Sequence, residues 1–288
     1  MKRVLYILFM AVLVSCTERI DIQIDKSYTR IVVDGSISND PMEHLVRLTK
    51  SADFFDGTET PNVTDATVFI LEGSDTVHLN EKEAGMYYTP KDFAAKFNTE
   101  YELVIQGVDI NEDGEPEEYR AMDTMTYPVP IDSINLLRTY IEGPDHYFVG
   151  VMLFMLDPPE KNNYLFKSLV NGKPLPESVT DWGLYNDEFF NGNYTNGIVV
   201  KYLNQEDSTE MLKPGDVFTL QQIQISEAYY DFLQAVNIES FGNIPLFSGP
   251  PANIVGNVSN DGIGFFSCLA VSRASAKYNL PAVGGDTE

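Results

Sequence analysis

Apolar and polar residues alternate along most of the chain in short runs between turn signals, which is the pattern of half-buried β-strands. Arg30-Ile31-Val32-Val33-Asp34-Gly35 ends in a turn dipeptide, and His44 to Thr49 alternates. Ala66 to Leu71 and Asp75 to Leu79 flank Glu72-Gly73-Ser74, which predicts a hairpin. Gly85 to Thr89, Glu100 to Ile105 and Glu118 to Ala121 continue the series. About seven short strands at this spacing predict an immunoglobulin-like antiparallel β-sandwich over residues 16–128. Nothing reads as a βαβ unit, so a Rossmann-like sheet is not expected.

Tyr127-Pro128-Val129-Pro130 predicts a boundary, because two prolines force extended backbone and remove ladder donors. Residues 131–276 then predict a second β-rich domain. It starts with Ile131 to Ile141, followed by the apolar run Tyr147 to Leu156, which Asp157-Pro158-Pro159 stops. That run is half the length of a membrane-spanning helix and reads as a central strand. Asn163 to Val170, Ile198 to Leu203 and Val217 to Ile225 are further strands. One helix is predicted at about 226–237, with Ser226 as N-cap and Glu227 in the first turn. Tyr229, Phe232, Leu233 and Val236 recur at helical spacing and predict the face that packs on the sheet. Gly264 to Val271 reads as a buried strand, and 277–288 as a polar tail. The expected fold is mainly β: two sandwich-like domains, the second with one packed helix.

The first residues follow a different rule. Met1-Lys2-Arg3 precedes an uncharged run from Val4 to Val14, the n-region and h-region of a secretory signal. Leu13-Val14-Ser15-Cys16 resembles the bacterial lipobox, so residues 1–15 are expected to be a lipoprotein signal peptide and Cys16 the acylated N-terminus. Covalent acyl chains contribute ~0.8 kcal/mol per buried methylene, and several hold a protein far more firmly than one.

Charge adds an exclusion. The formal net charge of −24 becomes −26 when Lys2 and Arg3 leave with the leader. That balance excludes nucleic acid as a partner and opposes adhesion to anionic lipid head groups, so the bilayer is met through the anchor only. With Cys16 acylated, Cys268 has no disulfide partner and reads as a core thiol. The chain has no Gly-x-Ser-x-Gly, His-Glu-x-x-His, Cys-x-x-Cys or P-loop pattern, and none of its many carboxylates is marked by its neighbours. No catalytic residue is assigned, and a non-enzymatic role is expected.

Two segments carry candidate chemistry. Asp109-Ile110-Asn111-Glu112-Asp113-Gly114 sets oxygen ligands at Asp109, Asn111 and Asp113 before a glycine, as the first half of a calcium loop does. The bidentate glutamate of the twelfth position is replaced by Arg120, so an acidic hairpin turn is the favoured reading and calcium the alternative cofactor. The second segment, Thr180 to Tyr194, holds Trp182, Tyr185, Phe189, Phe190 and Tyr194 among Asp, Asn and Gly without alternation. Two readings stand: a loop presenting flat apolar faces to a sugar or protein partner, or a connection whose aromatics fold back on the core. Pro245 to Val258, with paired prolines and glycines, reads as an ordered structural loop.

Several of these features together resemble a family of Bacteroidota outer-membrane lipoproteins, the domain-of-unknown-function family 4249. They are the lipobox, Arg30-Ile31-Val32-Val33-Asp34-Gly35, Phe189-Phe190-Asn191-Gly192, and the Tyr229-Tyr230 helix. Phe247-Ser248-Gly249-Pro250-Pro251-Ala252-Asn253-Ile254 and Gly264-Phe265-Phe266 complete the set. The resemblance implies a place at the outer membrane beside a β-barrel of TonB-dependent receptor type; it supplies no catalytic residue and adds nothing to the Asp109 loop. The acidic residues of Thr17-Glu18-Arg19-Ile20-Asp21, soon after the lipid, lead to the expectation of an outward facing. A structural or adhesive surface protein is the alternative. Replacing Cys16 by Ala is expected to abolish fatty-acid labelling and leave the leader uncleaved; labelling that persists in the variant would contradict the assignment.

Overall fold

The computed structural model describes residues 29–51, 60–140, 142, 147–242 and 254–279. The expected signal peptide, Cys16 and the Pro245 to Asn253 part of the predicted loop lie outside the described residues. The chain is mainly β with one long helix, as the alternation predicts.

The first half supplies β1 (Ile31–Ser38), β2 (Leu45–Lys50), β3 (Thr67–Glu72), β4 (Asp75–His78), β5 (Asn80–Glu83), β6 (Met86–Tyr88), β7 (Thr99–Val108) and β8 (Glu117–Met125). The second supplies β9 (Ser133–Tyr140), β10 (Tyr147–Phe154), β11 (Asn163–Val170), β12 (Lys173–Pro174), β13 (Gly183–Asn186), β14 (Ile198–Asn204) and β15 (Val217–Ile225). Helix α1 (Glu227–Gly242) and β16 (Ile263–Lys277) close the chain. One long sheet runs β12-β11-β15-β16-β1-β2-β6-β5, with β13 also paired to β11. Two smaller sheets, β4-β3-β7-β8 and β14-β10-β9, complete the β-structure.

Strand β16 joins the halves. Its first part pairs parallel to β1, from Val32 opposite Ile263 to Ser38 opposite Leu269. Its second part pairs antiparallel to β15, from Gln224 opposite Ala270 to Val217 opposite Lys277. The division expected near residues 128–131 is therefore bridged by the end of the chain, which supplies a strand to both halves. In the first half, the β4-β3-β7-β8 sheet and the β1-β2-β6-β5 part of the long sheet share one core, and the latter is extended in parallel by β16.

Side-chain parity along β16 sorts three cores. Phe266, Cys268 and Ala270 enter the first-half core with Ile31, Val33, Leu103 and Tyr101. On the same face, Ala274 and Ala276 pack on the second core of Val149, Val151, Leu153, Tyr164 and Phe218. The opposite face gives Leu269 and Val271 to a third core under α1. The Cys268 thiol is fully buried in the first of these, and burial pushes it well above the usual thiol range. A run that is apolar on both faces is what a strand covered on both sides requires.

Below Ala270 the edge of β16 that β15 leaves free is completed by side chains. Asn257 Oδ1 accepts from Phe266 N at 3.0 Å while its Nδ2 donates to Phe266 O at 2.8 Å and to Met122 O at 2.9 Å. The buried Asp123 carboxylate accepts from Cys268 N at 2.8 Å. These bonds satisfy buried backbone groups that would each cost ~1–3 kcal/mol unpaired. Gly264 is needed for the approach: at φ +100, a Cβ there would stand 1.9 Å from the Val33 carbonyl oxygen.

Helix α1 starts as predicted, with Ser226 Oγ accepting from Tyr229 N at 3.3 Å. It runs five residues past the predicted end at 237, because no glycine or proline intervenes before Gly242. Tyr229 and Phe232 stack and both meet Phe265, at 4.9 and 5.3 Å. The polar tail also begins later than residue 277. Tyr278 is buried in the second core, its amide donating to Asp216 O at 2.8 Å and its carbonyl accepting from Gly215 N at 2.7 Å.

Gly264→Ala is expected to destabilise the chain by at least ~2 kcal/mol, toward the upper end of single substitutions. Urea denaturation checks this, and a loss below about 0.5 kcal/mol would contradict the close approach of β1 and β16.

Candidate functional site

The structure distributes the five predicted aromatics instead of gathering them. Trp182 is half-buried against the helix-side core, and the Lys167 ammonium sits 3.7 Å from its ring centroid. Burial holds the Lys167 amine below its ordinary value, opposed by the Glu177 and Asp34 carboxylates. Tyr185 lies on β13, packs edge-on to Phe166 and donates to the Val200 carbonyl at 3.2 Å. Phe190 stacks on Tyr164 at 6.2 Å and joins the second core. Tyr194 is paired as an isolated bridge with Leu156. Phe189 alone projects fully, 93 % exposed. Of the segment predicted to be a loop, Gly183–Asn186 is a strand, because β11 offers it a partner edge. The buried Asp187 turns the chain after it: its carboxylate accepts from Asn162 N at 2.6 Å and its carbonyl from Phe190 N and Asn191 N.

The acidic segment connects the antiparallel strands β7 and β8, as a hairpin turn would. Its oxygens face inward on its own backbone. Asp109 accepts from Asp113 N at 3.1 Å and from Gly114 N at 2.9 Å, Asn111 Oδ1 from Asp113 N at 3.0 Å, and Asp113 Oδ1 from Glu115 N at 2.9 Å. Asn111 Nδ2 reaches Asp113 and Glu117. These are Asx-turn bonds, and they hold the segment as the acidic hairpin turn the sequence favours.

A larger feature lies where the halves meet. A cavity of about 830 Å³ opens between two proline-fixed segments, Thr124 to Pro130 and Leu156 to Glu160. Sequence analysis reads these as a linker and a strand stop; the fold sets them face to face. The volume is within the ~300–1,000 Å³ typical of ligand sites. Asn98, Asn162 and Gln224 supply amides to its wall and floor, and Gly192 closes one end. No Lys, Arg, His or Cys is among its lining residues.

The polar groups are built in rather than splayed. Asp157, 1 % exposed, accepts from the Tyr164 hydroxyl and from Gly192 N at 3.2 Å. Burial raises its carboxyl, and the nearby Asp187 adds to the rise. Gln224 Nε2 donates to Asn162 Oδ1, and Asn162 N is held by Asp187. Val129 O accepts from Ser272 Oγ at 2.7 Å and Gln222 Nε2 at 3.1 Å, which ties the linker to the long sheet. Among the described residues, the buried oxygens Gln222 Oε1 and Gln224 Oε1 have no hydrogen-bond partner. Such a lining can hold a ligand by apolar contact and amide hydrogen bonds.

Calcium titrated to millimolar concentration is expected to give no saturable heat in calorimetry, because the Asp109 loop folds its oxygens on its own backbone and, among the described residues, no group of three or more carboxylates gathers as a cation site. Saturable binding lost in Asp109→Asn would show that the loop opens for the ion.

No curated protein matches the chain. The sequence profile of one family, described as a domain of unknown function and designated DUF4249, matches residues 17–275, most of the chain, and this chain belongs to that family.

Proposed function

We propose that this protein is a non-enzymatic lipoprotein of the Bacteroidota outer membrane that captures a ligand in the inter-half cavity and works beside a TonB-dependent receptor in nutrient uptake. The single observation that carries the binding half is the cavity itself. It has ligand-site volume, a proline-lined wall, and the amides of Asn98, Asn162 and Gln224 in its lining. Its lining has none of the histidine, cysteine or lysine side chains that most often act as bases or nucleophiles, which supports holding over turnover. The lipobox supports the anchor, the acidic residues Glu18 and Asp21 just after it support the outward facing, and the family resemblance supports the receptor as neighbour.

The partner half draws support from the three-stranded sheet. Strands β9, β10 and β14 contain no Asp or Glu, in a chain with 43 acidic residues. Val149, Val151 and Leu153 of β10 face the core, while Phe148, Met152 and Phe154 face outward beside Leu137 and Tyr202, each nearly half exposed. An apolar, acid-free sheet face on so acidic a body suits a protein contact. The same face favours the second reading, a structural or adhesive surface protein whose sandwiches present themselves to other proteins.

Tagged protein extracted in mild detergent is expected to bring down one outer-membrane β-barrel, and Leu137→Lys with Tyr202→Lys to release it without lowering Tm. Extraction that never yields a barrel would remove the receptor from the account.

A further inference from the structure

The cavity adjoins a second cleft. We propose that the two form one groove that binds an extended peptide carrying both apolar and basic side chains, an inference that rests on the cavity being the ligand site.

The second cleft, of about 370 Å³, lies on the outward face of β7 and β8 and shares Asn98 with the cavity. Strand register makes the two continuous. Leu71, Glu102 and Met122 stand in one row across β3, β7 and β8, and all three line the second cleft. One row on, Glu100 of the second cleft is paired with Thr124 of the cavity. From Met122 to Pro130 an extended backbone covers about 25 Å at ~3.3 Å per residue. A ligand that uses both clefts is therefore a chain rather than a compact molecule.

The accessible side chains set its chemistry. In the cavity Tyr127 and Leu156 are 64 % and 62 % exposed, and Pro130 and Pro159 are exposed beside them. Phe97 leans on the Tyr127 ring, with centroids 5.5 Å apart. Met122, nearly half exposed, continues the apolar surface into the second cleft. Tyrosine and proline rings are stiff, so covering them costs little side-chain entropy. Aromatic-lined grooves of this kind take extended peptides, whose apolar side chains dock on the rings.

Charge supplies the sign. Neither lining contains Lys, Arg or His. Glu160 in the cavity and Glu100 in the second cleft are both exposed. Glu102 is shared with Arg120 at 3.0 Å, whereas no cation pairs with Glu100 among the described residues. An anionic chain would meet like charge here, on a body that is strongly acidic throughout. A basic chain is drawn in by the field of the whole protein and oriented by the carboxylates along the groove. Apolar and basic side chains on one extended backbone are the mark of a peptide.

The test uses the full acylated chain in an uncharged detergent. Calorimetry at low salt is run against octapeptides with blocked termini that share their apolar positions and differ at two, filled by lysine, glutamine or glutamate. A neutral blocked tripeptide and a neutral malto-oligosaccharide complete the set. The lysine octapeptide is expected to bind saturably, at least tenfold more tightly than the glutamate one, and to weaken as salt is raised. Glu100→Lys and Tyr127→Ala are each expected to weaken it at least tenfold with unchanged Tm, since both side chains are exposed. Lysine-peptide binding indifferent to both substitutions would mark a non-specific attraction to the acidic body and overturn the proposal. Tripeptide or oligosaccharide binding that falls in Tyr127→Ala, with no gain for the lysine octapeptide, would overturn the peptide groove while leaving the cavity as the ligand site. No saturable binding in any arm would overturn the proposal and the ligand-site reading together.

Discussion

A strand near the end of the chain has to satisfy two sets of neighbours. Strand β16 lies parallel to β1 over its first seven pairs and antiparallel to β15 over the next eight. Because its side chains alternate without a break, one face must serve the first-half core at Phe266 to Ala270 and the second-half core at Ala274 and Ala276. The other face must serve the helix. This explains why Gly264 to Val271, Ser267 excepted, is apolar on both faces while the segment beyond it alternates. It also explains the side-chain stitches of Asn257 and Asp123, which finish the edge where β15 has stopped.

The cavity follows from the same arrangement. If β16 holds both halves on one sheet, the linker between β8 and β9 must cross the gap between the two small sheets that sit above it. Proline fixes that crossing, and Ser272 of β16 with Gln222 of β15 holds it from below through the Val129 carbonyl. The space left beside the linker is lined by the prolines of both segments and by Asn162 and Gln224. Its volume and its mix of apolar surface with the amides of Asn98, Asn162 and Gln224 are those of a ligand site.

Much of the fold is legible in the sequence because alternation and turn chemistry are local. Strands β1, β2, β3 and β7 fall close to their apolar runs, and Ser226 caps the helix where it should. The misses are non-local. Nothing in alternation says that β1 pairs with a strand more than 200 residues away, although the two-sided apolar run around Cys268 marks that strand as central. The aromatics from Trp182 to Tyr194 lack alternation because they serve different neighbours: Lys167, Phe166, Tyr164 and Leu156. Tyr278 is in the core only because the loop at Gly215 and Asp216 holds its backbone. Tyr127-Pro128-Val129-Pro130 and Asp157-Pro158-Pro159 are readable as proline-stiffened segments. That they face each other across a cavity is a property of the topology, which only the assembled sheets reveal.

The central claim is that β16 makes the two halves one cooperative body with the cavity at their seam. Native-state hydrogen exchange along β16 tests it most directly. Amides from Phe266 to Ser272 are expected to exchange through a single global opening, with the same free energy as the core amides of β7 in the first half and β10 in the second. Two distinct opening free energies, one for each half, with β16 following only one of them, would contradict the account.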